Sequence, residues 1–198
     1  MMNDLLSEFH RGYPLDNLRP LLHSKDQNVV KIGAWIASEL GEKGHLLLPD
    51  VLPLIHHPAS NVRFSIIDCI LLWGTDGAQL SAVTDLLDDP DGGVRWKAMD
   101  FLSRARRDQL QTMLSYFEAR KPQSWHARGL RWLLSPDASE VAKVKVCLMD
   151  KNALIRKYGA VAATRMSQSS RSALSYALSV NDPDVQNFAK SGMALLKN

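Results

Sequence analysis

Apolar residues recur along this chain at helical spacing, in blocks of roughly thirty residues divided by short polar turns. Each block repeats one pattern. A turn rich in Asp, Asn, Pro or Ser leads to an apolar anchor, often followed by a basic residue, with a small residue four places after the anchor. The anchors Val29, Val62, Val94, Trp125, Ile155 and Val185 are 33, 32, 31, 30 and 30 residues apart by subtraction of those numbers. The small position is held by Gly33, Ala98, Gly129, Gly159 and Ala189, with Ile66 as the exception. Positions at the anchor, +4, +7 or +8 and +11 fall on one face of an α-helix. In the third copy these are Val94, Ala98, Phe101, Leu102 and Ala105.

The turns have a physical role. Their polar side chains can accept the backbone N–H groups that a helix start leaves without partners. His57-Pro58-Ala59-Ser60-Asn61, Asp89-Pro90-Asp91-Gly92-Gly93 and Asn181-Asp182-Pro183-Asp184 are strong turn signals. Between the anchored helices lie shorter apolar ones, expected at Leu15–His23, His45–His56, Gly77–Leu87, Asp108–Ala119, Ala138–Met149 and Gln168–Val180. A terminal capping helix is expected near Met1–Arg11. Each hairpin is a first helix, a tight turn and a second, anchored helix. One amphipathic hairpin cannot bury its own apolar face, so the hairpins must stack.

Asp89-Pro90-Asp91-Gly92-Gly93-Val94-Arg95-Trp96-Lys97-Ala98 is the fullest copy, followed by Asn61-Val62-Arg63 and Ile155-Arg156-Lys157-Tyr158-Gly159-Ala160. On these residues the chain resembles a HEAT-repeat protein of the small bacterial type over roughly residues 15–198. The resemblance implies an all-α fold: a right-handed α-α superhelix of about six hairpins, with 1–198 a single repeat domain. It also implies that the second helices line a concave side. The fourth copy departs most, because Trp125-His126-Ala127-Arg128 replaces Val-Arg and its turn Lys121-Pro122-Gln123 lacks Asp.

If +4, +7 and +11 face the core, then +2 and +6 face outward. The +2 column reads Lys31, Phe64, Trp96, Ala127, Lys157, Asn187, and the +6 column reads Trp35, Asp68, Asp100, Arg131, Val161, Ser191. Trp35, Phe64, Asp68, Trp96, Asp100 and Arg131, with Arg104 and Arg128, are the candidate partner-binding residues. Aromatic side chains beside arginine supply large desolvated area and directional bonds, as protein-recognition hot spots do. The blander readings are that Trp35 and Trp96 pack between repeats and that Asp68 and Asp100 pair with Arg63 or Arg95.

Composition narrows the picture further. The formal net charge of +3 permits nucleic-acid binding without arguing for it. The charge is uneven, however. Asp85, Asp88, Asp89 and Asp91 make an acidic turn, while Arg104, Arg106, Arg107, Arg120, Lys121, Arg128 and Arg131 make the middle of the chain basic. Cys69 and Cys147 are far apart among apolar helical residues and read as buried free thiols in a reducing cytoplasm. No apolar run is long enough to span a bilayer. The start Met1-Met2-Asn3-Asp4-Leu5 lacks a basic stretch before an apolar core, so no signal peptide is expected.

Catalytic patterns are weak. No histidine pair has i, i+4 metal spacing, and no metal or other cofactor is expected. The serines around Ser167, Ser169, Ser170 and Ser172 lack a nucleophile-elbow pattern. Gly41-Glu42-Lys43-Gly44 reads as a turn between helices rather than a phosphate loop. Asp68 and Asp100 on an open groove lack the enclosure that acid–base work needs. The expectation is a cytoplasmic, non-enzymatic adaptor that binds a protein through its concave face, with a toxin-neutralising immunity protein as the specific form. The rival is a DNA-binding protein related to HEAT-type alkylpurine DNA glycosylases, in which Arg104, Arg106, Arg107, Arg120, Lys121, Arg128, Arg131, Arg156, Lys157 and Arg165 would track phosphates.

Overall fold

In the computed structural model the described residues are 2–166 and 170–196, and they contain helices and turns but no strand. The chain divides into two compact units, Met1–Thr75 and Asp76–Asn198, a boundary that the repeat pattern does not mark.

The first unit holds α1 (Met2–His10), α2 (Arg19–Leu22), α3 (Gln27–Glu39), α4 (Leu48–Val51) and α5 (Ser60–Trp73). Its anchored helices α3 and α5 pack directly on each other. The first helix of its second hairpin is broken into the 3-10 turns Gly41–Leu47 and Leu52–His56 around α4. Pro49 and Pro53 account for this, since each removes a backbone donor and restarts the helix at its own first turn. The expected turn at Gly41–Gly44 is therefore the start of a 3-10 segment. Trp73 pins that segment: its indole N–H donates to the Gly41 carbonyl at 2.8 Å, and its ring lies where a Cβ on Gly44 would stand, 2.2 Å from the ring edge.

The second unit holds α6 (Gly77–Asp85), α7 (Gly92–Arg104), α8 (Arg107–Arg120), α9 (Trp125–Leu133), α10 (Val141–Leu148), α11 (Ala153–Arg165), α12 (Ser170–Ala177) and α13 (Pro183–Leu195). The expected helix Gln168–Val180 begins among residues outside those described, as do Ser167 and Ser169.

The repeat motif has a common local geometry. Asp26, Asp91, Ser124, Asn152 and Asp182 cap α3, α7, α9, α11 and α13 by accepting backbone N–H groups of the first turn. The basic residue after the anchor folds back onto the preceding turn. Arg63 donates to the carbonyls of His57 and Pro58, Arg95 to Asp89 and Pro90, and Arg156 to Asp150 and Lys151, at 2.7 to 3.1 Å. Gln186 does the same with Val180 at 2.8 Å. The Val-Arg pair thus joins core to turn: the valine enters the core and the arginine satisfies carbonyls that the preceding helix leaves open.

Two expectations fail in the second unit. Trp125 is not a buried anchor; it is 46% exposed at the first position of α9. Counting from the caps, the position equivalent to Val94 is Ala127, which is fully buried. The outward columns also fail, since Ala127, Lys157 and Val161 are all buried. The cause is the packing of α11. It touches α7, α9, α10, α12 and α13, and nine of its residues are buried, including Tyr158 at 0% exposed. α7 packs on α11 and on α13, whereas α7 and α9 share at most a marginal contact. The third repeat therefore contacts the fifth and sixth directly.

Polar bonds fix this arrangement. At the start of α7, the 4%-exposed Lys157 donates to the Leu87 carbonyl and lies 3.3 Å from Asp88 and 3.4 Å from Asp184. At its end, Arg165 donates to the carbonyls of Leu102, Ser103 and Ala105 at 2.8 to 2.9 Å. Arg95 grips Asp184 of α13 through two bonds of 2.8 and 2.9 Å, and Arg156 holds the cap residue Asp182 at 2.8 Å. Burial acts to raise the Asp184 carboxyl. The Arg95 bonds and the Lys157 and Arg95 charges overcome that and hold it below the usual carboxylate range.

Candidate functional site

The expected partner-binding residues divide between the two units. In the first, Trp35 lies on α3 and Phe64 and Asp68 on α5; all three are half-buried on helices that pack together. In the second, Trp96, Asp100 and Arg104 share one face of α7, and Arg128 and Arg131 lie on α9. α7 and α9 are not neighbours, so these five do not form one strip.

Trp96, Asp100 and Arg104 do come together with residues that the repeat pattern did not single out. They line a cleft of about 310 Å³ with Thr164 of α11, Leu174 of α12, and Phe188, Ser191, Gly192, Leu195 and Leu196 at α13. Trp96 is half-buried, its ring 6.1 Å from that of Phe188 and tilted by 60°. Such tilted pairs add stability beyond their buried area. The packing reading of Trp96 is thus correct in part, although its neighbour is the sixth repeat rather than the next one. Leu195 stands 77% exposed at the mouth, with Leu196 beside it, so the apolar wall runs out to the surface.

Among the described residues Asp100 forms no ion pair to another repeat. It pairs along its own helix with Arg104 at 3.2 Å and Lys97 at 3.6 Å, and Arg95 is committed to Asp184. A carboxylate placed between two cations at the edge of the cleft suits a salt bridge to a partner. The cleft can therefore offer a greasy floor, an aromatic wall and a mixed-charge edge.

Arg128 and Arg131 behave differently. Arg128 stacks over the exposed Trp125 ring at 5.2 Å and lines a second cleft, of about 300 Å³, with Trp132, Cys147 and Tyr158. Arg131 pairs with Glu118 of α8 at 2.9 Å on an exposed surface, an arrangement that contributes little to stability.

The thiols differ from expectation at one position: Cys69 is buried, but Cys147 is only half-buried. Burial pushes the Cys147 thiol up to about 11 and raises Cys69 further, so both are held protonated and unreactive at neutral pH. Among the described residues no group of three His, Cys, Asp or Glu side chains is placed to hold a metal ion, and no helix is long and apolar enough to cross a membrane.

Phe188, Leu195 and Leu196 were missed because the sequence places them on or just after the last anchored helix, three repeats beyond Trp96. Their apolar character was legible. Their contact with α7 was not, since it comes from a packing that skips a repeat.

No family model matches the chain, and no curated protein sequence matches it. Solved structures do. A designed armadillo repeat protein in complex with a (KR)4 peptide is similar over 97% of this chain and 85% of its own, with 15% identity and a TM-score of 0.50. A second designed armadillo repeat protein covers 92% of this chain and all of its own, with 15% identity and a TM-score of 0.44. At that identity the first likeness speaks to the fold alone, and with the hairpin array above it identifies this chain as an all-α helical-repeat solenoid.

Proposed function

We propose that this chain is a non-enzymatic repeat scaffold that binds a protein segment, and that the α7–α13 cleft is its main contact in the second unit. The observation that carries this is the cleft itself: Trp96, Phe188, Leu174 and Leu195 form an apolar wall that runs to the surface, with Asp100 and Arg104 at its edge. Aromatic and leucine side chains around a mixed-charge rim are the makeup of a recognition hot spot. The similar designed armadillo protein is in complex with a peptide, a use of this architecture consistent with the reading. Trp35, Phe64 and Asp68 are the corresponding candidates in the first unit, and Arg128 and Arg131 are peripheral.

Neutralising a toxin domain by steric and electrostatic fit is one form such binding takes. That form, the HEAT subtype and a cytoplasmic setting rest on the sequence resemblance and on the two unreactive thiols. The DNA-binding rival draws less support. Arg165 and Arg156 are spent on carbonyls and Asp182, Lys157 is buried, and Arg104, Arg106 and Arg131 are paired with acids. Little of the basic run is left to follow a phosphate backbone.

The test is a display selection for peptides that bind the whole protein. Expected binders lose affinity about tenfold or more with Leu195→Asp or Arg104→Glu, and keep it with Gln111→Glu on the exposed side of α8. Binders insensitive to both cleft variants would sink the reading. Release of bases from alkylated DNA by the purified protein would establish the rival instead.

A further inference from the structure

α10 is apolar on two opposite faces. Val144 and Leu148 enter the core, as a surface helix requires. The face turned away from them would ordinarily be polar. Ala142, Val146 and Met149 stand there instead, at i, i+4 and i+7, with Val146 68% and Met149 70% exposed. Val146 also lines the cleft of about 300 Å³ together with Arg128 and Trp132 of α9. The Arg128 guanidinium reaches on from there to the exposed Trp125 ring, 5.2 Å away. Trp125, Val146 and Met149 therefore adjoin one another across one face, and a contiguous exposed apolar patch marks a surface that another molecule covers.

The charges around this patch say what kind of molecule fits. Arg128, Lys143, Asp137 and Asp150 ring the cleft. Among the described residues none of the four forms an ion pair, and the Asp150 carboxylate accepts the Asn152 backbone N–H at 2.8 Å. Elsewhere in this unit exposed arginines find an acid, as Arg104, Arg106 and Arg131 do. Here two cations and two carboxylates share one rim and are left for contacts outside it. An isologous contact sets a patch against a copy of itself, so it needs both signs within the one patch. A rim of a single sign would repel its copy.

We propose that the α9–α10 face binds a second copy of this chain. Trp125, Val146 and Met149 form the apolar centre of the contact, and the cations of each copy meet the carboxylates of the other at its rim. None of these residues lines the α7–α13 cleft, so a pair carries two open copies of it. A partner with two matching segments would then be held more tightly than one with a single segment. The pairing does not depend on what that cleft binds.

The experiment is analytical ultracentrifugation of the full chain over a range of concentrations. The expected result is a reversible equilibrium between one copy and two, with a Kd of about 100 μM or tighter. Val146→Asp should weaken pairing about tenfold or more, and should leave the circular-dichroism signal intact because the side chain is exposed. Arg128→Glu with Lys143→Glu makes the rim acidic, and Asp137→Lys leaves Asp150 as its one acid. Each of these variants should pair poorly with itself, and mixing the two should restore the two-copy species. Loss of folding could not produce that recovery. A native chain that stays single at every concentration overturns the proposal, as does an unchanged equilibrium in Val146→Asp or no recovery on mixing. Pairing that survives Val146→Asp but is lost with Leu195→Asp places the contact at the α7–α13 cleft and overturns it equally.

Discussion

α9 and α11 are both second helices of their hairpins, yet they do opposite work. α11 is 13 residues long, touches helices on every side and buries nine residues, whereas α9 has nine residues and buries Ala127, Gly129, Leu130 and Leu133. The difference lies in side-chain size. α11 carries Gly159, Ala160, Ala162 and Ala163, which let neighbouring backbones approach closely, and one aromatic residue, Tyr158, which is fully buried. α9 carries Trp125, His126, Arg128, Arg131 and Trp132, which no neighbour could enclose on all sides. Where the small stripe is continuous a repeat becomes the centre of its unit, and where bulk interrupts it the repeat is pushed to the rim.

Tyr158 joins the two helices, and removing it should have the largest effect. Tyr158→Ala should destabilise the second unit by about 3–5 kcal/mol in denaturant unfolding. Next is its seat: a Cβ on Gly129 would stand 2.3 Å from the Tyr158 ring. Gly129→Ala should cost about 1–3 kcal/mol through overpacking, and much less in a Tyr158→Ala background. Additive costs would break the link between α9 and α11.

Arg165→Met tests the contact of α11 with α7. It frees the carbonyls of Leu102, Ser103 and Ala105 and should cost about 1–3 kcal/mol, with faster amide exchange at the end of α7. An unchanged exchange pattern would mean that apolar packing alone holds the two helices.

His126 makes the α9 side pH-sensitive. Burial between Phe117, at 5.4 Å, and the Tyr158 hydroxyl, at 3.4 Å, depresses its pKa, although Asp85 and Asp88 pull the other way. The unfolded chain therefore takes up this proton at higher pH than the folded one. Stability should fall as pH drops below about 6.5, and His126→Gln should flatten that part of the curve. Asp184 acts in a lower window: its depressed pKa contributes stability above about pH 4 that is lost as pH falls further. The smallest effect belongs to Trp125→Gln, which should stay within about 0.5 kcal/mol if the ring is as exposed as its position indicates.

Much of the local structure was legible. The caps at Asp91 and Asp182, the buried anchors Val62, Val94 and Val185, and the hairpin order follow from turn chemistry and helical period. The fourth anchor was misread because an apolar Trp125 outweighed the cap signal of Ser124, which points to Ala127. The candidate site was legible by residue type at Trp96, Asp100 and Arg104, but its other wall at Phe188 and Leu195 was not.

The sequence by itself determined that the chain forms helical hairpins, where each begins, and which face of each helix is apolar. Those are local matters, decided by side chains within a few residues of one another. Only the tertiary structure decided which hairpins touch. Period and capping are blind to the fit between distant surfaces, and it is the close approach allowed by the small residues of α11 that brings α7 to α13 and makes a cleft from residues some ninety positions apart, as Arg95 and Asp184 are.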